Sequence, residues 1–225
     1  MTTLTSPHWL RAALITIDVQ RDTLDGAPLE IPGTTAALPA IQRLAQVFRE
    51  CRQPIIHMVR LYQADGSNVD VSRREAVLGG ARMLLTDSDG SQLARELLPH
   101  SETRLDAELL LAGGIQNLSA FESVVYKPRW GAFFATPLHA HLQKHGVDTL
   151  VFAGCNFPNC PRTSIYEASE RDYRLVLATD AVSGCYDRGQ AELASIGVEL
   201  MESDNIVKSL QLSYKDSPLA EPGLH

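Results

Sequence analysis

Residues 149–164 read Thr-Leu-Val-Phe-Ala-Gly-Cys-Asn-Phe-Pro-Asn-Cys-Pro-Arg-Thr-Ser, and this stretch leaves the chain few ways to fold. The apolar run 149–153 has the look of a buried strand. Gly154 ends it, a short turn follows, and Cys160 stands where a helix begins. Pro161 then takes the first helical position, where its fixed φ is already helical and its missing N–H costs no helix bond. A cysteine at a helix start feels unpaired backbone N–H groups and the positive end of the helix dipole. Both favour thiolate, so the sequence predicts a lowered pKa for Cys160. The alternative reading of a single cysteine, a small buried hydrophobe, stays open on this stretch alone.

The rest of the chain alternates strands with helices. Residues 12–17 form an apolar strand with Asp18 at its carboxyl end. Residues 20–33 read as a loop, and Thr34 or Thr35 is expected to cap an amphipathic helix over about 36–51, where Leu38, Ile41, Leu44, Ala45 and Phe48 recur at helical spacing. A strand over 54–59 precedes a long polar loop, 60–74, which offers Arg60, Tyr62, Asn68, Arg73 and Arg74 to a pocket; Arg60 is the one expected to bind substrate. Between 75 and 122 only a short helix at 93–98 and a loop or edge strand at 109–112 are legible.

A strand over 123–126 ends at Lys127. The aromatic loop 128–134 follows, then a helix from Thr136 to about Lys144. After the strand–turn–helix of Cys160, whose helix runs to about Asp172, come a strand over 174–179 ending at Asp180, a helix over 187–195 and a last strand over 198–201. Residues 213–225 read as a polar tail. This order predicts an α/β fold, a mostly parallel sheet of about six strands covered by helices on both faces. The 225 residues are read as one domain with a core over about 12–202.

Charge and composition remove several classes of function. The net charge of −7 gives no electrostatic reason to expect nucleic acid as a partner. No run of about 18 apolar residues is present, so no membrane span is expected, and the first residues lack a secretory pattern. A cytoplasmic protein with four reduced cysteines, Cys51, Cys155, Cys160 and Cys185, is the expectation. The Cys155-x4-Cys160 spacing matches no zinc pattern. His57, inside an apolar strand, reads as a hydrogen-bonded core residue.

Asp18, Lys127 and Cys160 close three segments that a parallel sheet brings to one edge. Ligands bind at that edge in open α/β sheets. Chemically the three fit together: a carboxylate to take a thiol proton, an ammonium to hold negative charge, and a sulfur to attack a carbonyl carbon.

On the segments Leu14-Ile15-Thr16-Ile17-Asp18-Val19-Gln20, Lys127 through Leu138, Val151 through Thr163 and Ala178-Thr179-Asp180-Ala181-Val182, the chain resembles the isochorismatase-like superfamily of cysteine hydrolases. The resemblance implies a three-layer α/β/α fold and a catalytic triad of Asp18, Lys127 and Cys160. It also implies a cis peptide at Cys155–Asn156 and an oxyanion hole made by the backbone N–H groups of Asn156 and Cys160. Nicotinamidases of the superfamily carry an Asp-x-His metal pair after the second strand, where this chain has Arg60-Leu61-Tyr62. No metal or other cofactor is therefore expected. The turn before Cys160 is unusual for the superfamily, so Phe157 and Asn159 are expected to shape the pocket. Trp130 either stacks on a flat substrate or packs between subunits. The expected activity is hydrolysis of a small-molecule amide, ureido or lactam C–N bond through a thioester on Cys160, by a homo-oligomer, dimer or tetramer. An isochorismatase using Asp18 as an acid, or a non-catalytic binding protein on the same fold, are the alternatives.

Overall fold

A computed structural model describes residues 3–217 of the chain. Its centre is a sheet of seven strands in the order β3-β4-β2-β1-β5-β6-β7. These are β1 (Ala12–Ile17), β2 (Ile55–Val59), β3 (Ile115–Asn117), β4 (Glu122–Tyr126), β5 (Thr149–Gly154), β6 (Arg174–Val182) and β7 (Glu199–Met201). All neighbours pair in parallel except the short edge strand β3, which runs antiparallel to β4. The count is seven where the sequence predicted about six; β3 is only three residues, Ile115, Gln116 and Asn117, none of them buried, and is too short to show an alternation that would mark it.

The central strands β1, β2 and β5 are buried along their whole length, because helices cover both faces. One layer packs α1 (Thr34–Glu50) and α7 (Ser203–Lys215) on Leu14, Ile55, Val151 and Val176 through Ile41, Leu44, Phe48, Ile206 and Leu210. The opposite layer packs α4 (Leu138–Lys144), α5 (Cys160–Ser169) and α6 (Asp187–Ser195) on Ile15, Ile17, Met58, Val125 and Phe152. Each face buries apolar area worth about 25 cal/mol per Å2, which makes these layers the main source of stability.

The helix boundaries shift in instructive ways. Helix α1 starts at Thr34, with Gly33 rather than a threonine at the N-cap. Gly33 sits at φ 86, and the two threonines serve elsewhere: Thr34 Oγ1 donates to Ser183 Oγ, and Thr35 Oγ1 accepts from the Asp25 N–H. The polar segment 60–74 is not all loop: α2 (Val71–Leu78) begins within it. Only Val77 of α2 is buried, so the helix has no apolar stripe to betray it. The stretch expected as loop or edge strand at 109–112 belongs to α3 (Ala107–Leu111), capped by Asp106 Oδ1, which accepts from the Leu109 N–H at 3.0 Å.

Helix α5 stops at Ser169, short of Asp172, and β6 continues past Asp180 to Val182. Asp180 instead caps α7, accepting from Ser203 N–H at 2.7 Å and Ser203 Oγ at 2.6 Å. The tail expected from 213 is helical to Lys215; its remainder beyond 217 lies outside the described residues. His57 is the buried, bonded histidine expected, between Thr16 Oγ1 at 2.7 Å and Glu122 Oε1 at 2.8 Å. Among the described residues no helix is long and apolar enough to cross a membrane.

Candidate active site

The order of strand addition reverses at β1, which runs parallel to β2 on one side and to β5 on the other. The crevice outside their carboxyl ends is where such a sheet takes a ligand. Asp18 is the first residue after β1, and it holds a left-handed backbone at φ 53. That conformation is uncommon for a residue with a side chain and costs energy. Neighbours hold it: the Asp18 N–H donates to Met58 O at 2.9 Å, and its carbonyl accepts from the Cys155 thiol at 3.1 Å and from Thr23 Oγ1 at 3.1 Å.

Lys127 is the first residue after β4. Its N–H continues the ladder to Val59 O at 2.9 Å, and its side chain is fully buried. Nζ donates to Asp18 Oδ2 at 2.8 Å and lies 3.4 Å from Arg129 O. The other carboxylate oxygen, Asp18 Oδ1, is buried with no hydrogen-bond partner.

Cys160 opens α5 after the turn from β5. Gly154 permits the turn. It sits at φ 118, and a Cβ there would stand 2.2 Å from Ile17 O. The Cys155–Asn156 peptide is cis. Asn159 precedes the helix; its N–H donates to Asn156 O at 3.0 Å and its Nδ2 to Asn156 Oδ1 at 3.0 Å. Ser164 Oγ fixes the first turn, donating to Cys160 O at 2.7 Å and accepting from the Ala132 N–H at 3.0 Å. Among the described residues no acceptor takes the N–H of Asn156 or of Cys160.

The electrostatics of Cys160 differ from the local expectation. The thiol is only 3% exposed, and its pKa is raised rather than lowered. Burial is the largest cause, and the charge of Asp18 adds to it; Lys127 and Arg60 pull the other way and do not prevail. The resting group is therefore a neutral thiol beside a carboxylate.

Arg60, directly after β2, is fully buried. Gln20 grips its backbone from both sides: Nε2 donates to Arg60 O at 2.8 Å, and Oε1 accepts from the Arg60 N–H at 2.8 Å. Its Nη1 donates to Asp70 Oδ2 at 2.7 Å and to the Tyr62 hydroxyl at 3.3 Å. Burial opposes the charge of Asp70, but hydrogen bonds from Ser72 and Tyr62 together with the Arg60 cation hold its carboxyl at about 2. Burial pushes the Tyr62 phenol up to about 12. A guanidinium, a phenol and a carboxylate already bonded to each other do not fit a metal ion, since the cation offers no lone pair.

The remaining expectations divide. Trp130 is half-buried, with the Arg73 guanidinium 5.4 Å above its ring. Arg73 and Arg74 lie on α2 rather than in a loop. Asn159 stays at the turn, next to Cys160. Phe157 is fully buried; its ring meets Tyr186 edge-on at 5.3 Å and lies against Gly189 of α6. That is a core position under α6, in place of the pocket position expected for it. Gln20, Tyr62 and Asp70 join the site without having been singled out as its organisers. Only the placement of Gln20 two residues beyond Asp18 could have pointed to it.

Known proteins resemble this chain along most of its length. The sequence model of the Isochorismatase domain matches residues 12–202. The maleamate amidohydrolase of Pseudomonas putida is 32% identical over 177 residues, 76% of this chain and 72% of that protein. A probable inactive nicotinamidase of Arabidopsis thaliana is 29% identical over 178 residues, 78% of this chain and 82% of its own length. Among solved structures, an isochorismatase family protein of Desulfovibrio vulgaris superposes with a TM-score of 0.75 at 28% identity, covering 89% of this chain and 98% of that one. The N-carbamoylsarcosine amidase of Thermoplasma acidophilum shares the fold, with a TM-score of 0.67 at 22% identity over 86% of this chain and 97% of its own.

Proposed function

Since the chain belongs to the isochorismatase family, we propose that it is a cysteine hydrolase of small-molecule C–N bonds, of amide, ureido or lactam type, with Asp18, Lys127 and Cys160 as its catalytic groups. One observation carries the reading. Asp18 has one oxygen engaged by Lys127 at 2.8 Å and the other buried and free beside a neutral thiol.

In this mechanism Cys160 Sγ attacks the carbonyl carbon while its proton passes to Asp18. Transfer during attack suits a thiol whose pKa is raised, because the thiolate need not exist beforehand. The oxyanion rests on the N–H groups of Asn156 and Cys160, an interaction worth several kcal/mol of barrier at about 3 per donor. Asp18 then protonates the leaving amine; in the second half it takes a proton from the water that attacks the thioester and returns it to Cys160 Sγ as the C–S bond breaks. Lys127 holds the carboxylate in place between these steps through its bond to Oδ2.

The same reading makes the 225 residues, with their core over about 12–202, one catalytic domain of a homo-oligomer acting in the cytoplasm. Four free cysteines suit a reducing compartment, and Phe134, 55% exposed in the loop after Trp130, suits a subunit contact. The chemical test is a screen of small amides and ureido compounds for ammonia or amine release by the wild-type protein and by Cys160→Ala. Release that depends on Cys160 supports the proposal. Release that persists in Cys160→Ala removes the thiol from it.

A further inference from the structure

The main chain of Asp18 is gripped from two directions. Its carbonyl oxygen accepts from the Gln20 N–H at 3.0 Å, from Thr23 Oγ1 at 3.1 Å and from the Cys155 thiol at 3.1 Å. The first two donors belong to the turn that Asp18 itself opens. Thr23 Oγ1 has the shorter bond to Gln20 O, 2.7 Å, so its single proton goes mainly there. Among the described residues, Cys155 is the one donor that reaches Asp18 O from outside this turn.

A carbonyl oxygen only accepts, so the thiol donates. Burial, with the Asp18 charge adding to it, pushes the Cys155 pKa up to about 12, and the proton is in place at neutral pH. The backbone of Cys155 adds a second bond, its N–H to Ile17 O at 2.9 Å. Cys155 thus holds two successive carbonyls where β1 ends. Its own carbonyl carbon carries the nitrogen of Asn156, whose N–H serves as an oxyanion donor in the mechanism above. One residue therefore ties the base to that donor. Asp18 needs such a hold, since its left-handed backbone persists only where neighbours fix it.

Cys155 is only 1% exposed, yet it does not pack as a core hydrophobe. Cys51 and Cys160 belong to the apolar layers that flank the sheet, whereas Cys155 belongs to no apolar cluster among the described residues. Its sulfur lies against Asp18 O and the buried hydroxyls of Thr23 and Thr34. A sulfur in polar surroundings is used for its hydrogen bond as well as for its volume.

We infer that Cys155 is a positioning residue: by donating to Asp18 O, its thiol sets the direction in which the Asp18 carboxylate faces Cys160. The catalytic consequence rests on the hydrolase reading above; the geometric claim does not.

The test is a double-mutant cycle read on the Cys160 thiol, which needs no substrate. Alkylation of Cys160 by iodoacetamide at pH 8, followed by peptide mass, is compared in the wild-type protein, Cys155→Val, Asp18→Asn and the double variant. Valine fills the position and removes the donor. Cys155→Val should speed alkylation about threefold or more, because the Asp18 charge moves off the sulfur, and should change it less than about twofold in the Asp18→Asn background, where no charge is left to aim. Cys155→Ser restores a donor and should return the rate toward that of the wild-type protein. Equal acceleration in both backgrounds shows a site merely loosened, and it overturns the inference. So does no acceleration, or a Cys155→Ser that reacts like Cys155→Val. If Cys155→Val does not fold, Cys155→Ala takes its place in the cycle, removing the donor without adding volume. In turnover, Cys155→Val should lower kcat about threefold to tenfold with KM within about twofold, and Cys155→Ser should recover most of the loss. An unchanged kcat overturns the inference even where the thiol has become faster. If the chain cleaves no amide, the hydrolase reading fails and the alkylation cycle alone decides.

Discussion

Lys127 and Asp18 meet across a strand that holds neither of them: β2 separates β4 from β1, yet Nζ of Lys127 stands 2.8 Å from Oδ2 of Asp18. The lysine side chain has to pass over the end of β2 to do so, and both groups are nearly or wholly out of water. Such a pair is a poor choice for stability alone, because desolvation offsets most of its attraction. Removing one partner is worse, since it strands the other charge. Lys127→Met should lower the unfolding free energy by about 3–5 kcal/mol and Asp18→Asn should do the same in direction. In turnover, Asp18→Asn should cost roughly 10²–10⁴-fold in kcat, the range of a lost acid–base group. Urea titration alongside steady-state kinetics separates the two effects.

The raised pKa of Cys160 predicts a slow thiol. Alkylation by iodoacetamide, followed by peptide mass, should be slow at pH 7 and should climb through the alkaline range. Because the Asp18 charge helps raise that pKa, Asp18→Asn should speed alkylation of Cys160 at pH 8 while slowing turnover. A variant whose thiol reacts no faster would show that burial alone sets its reactivity.

Stability should fall at both ends of the pH scale, for different groups. Burial works against the charge of Glu122, but hydrogen bonds from Arg49 and His57 take its pKa from 4.5 to about 2. A depressed carboxyl stabilises the fold above its unfolded pKa, and that contribution disappears as pH falls through the folded value. Burial raises Cys155 from 9.0 to about 12 and Cys185 from 9.0 to about 11. The folded state then holds protons that the unfolded chain releases, so stability is full below about pH 9 and declines above it. Unfolding free energy measured against pH should show both slopes, and Glu122→Gln should flatten the acid one.

Gly154→Ala should damage the site without touching a catalytic group. The new methyl would lie 2.2 Å from Ile17 O and 2.6 Å from Ile17 N, at a φ of 118 that a side chain resists. The clash displaces the end of β1 from the end of β5, and with it Asp18 from Cys160. A lowered melting temperature together with a kcat deficit larger than at a neighbouring buried alanine substitution is the expected pattern.

Much of this arrangement is legible in the sequence. Asp18, Lys127 and Cys160 each announce themselves locally, two as polar residues ending apolar strands and one before a helical proline. The strands around them are continuous apolar runs because both faces are covered. Helix α2 is hidden because Asp70, Arg73 and Arg74 hold it by polar contacts rather than an apolar stripe. Helix α7 is hidden by its position at the end of the chain, although Ile206, Leu210 and Tyr214 do recur at helical spacing. The direction of the Cys160 pKa shift is not legible locally, for a physical reason. The helix start is local and visible, whereas burial and the Asp18 charge come from segments far along the chain and decide the sign.

The covalent role of Cys160 is tested most directly by rapid quenching of the protein during turnover, followed by intact and peptide mass measurement. The expected result is a mass increment equal to the substrate's acyl group on the Cys160 peptide, absent in Cys160→Ala, with kcat of that variant down by orders of magnitude. No adduct at any time point, with turnover retained in Cys160→Ala and lost in Asp18→Ala, would replace the thioester route by one in which Asp18 acts as the acid alone.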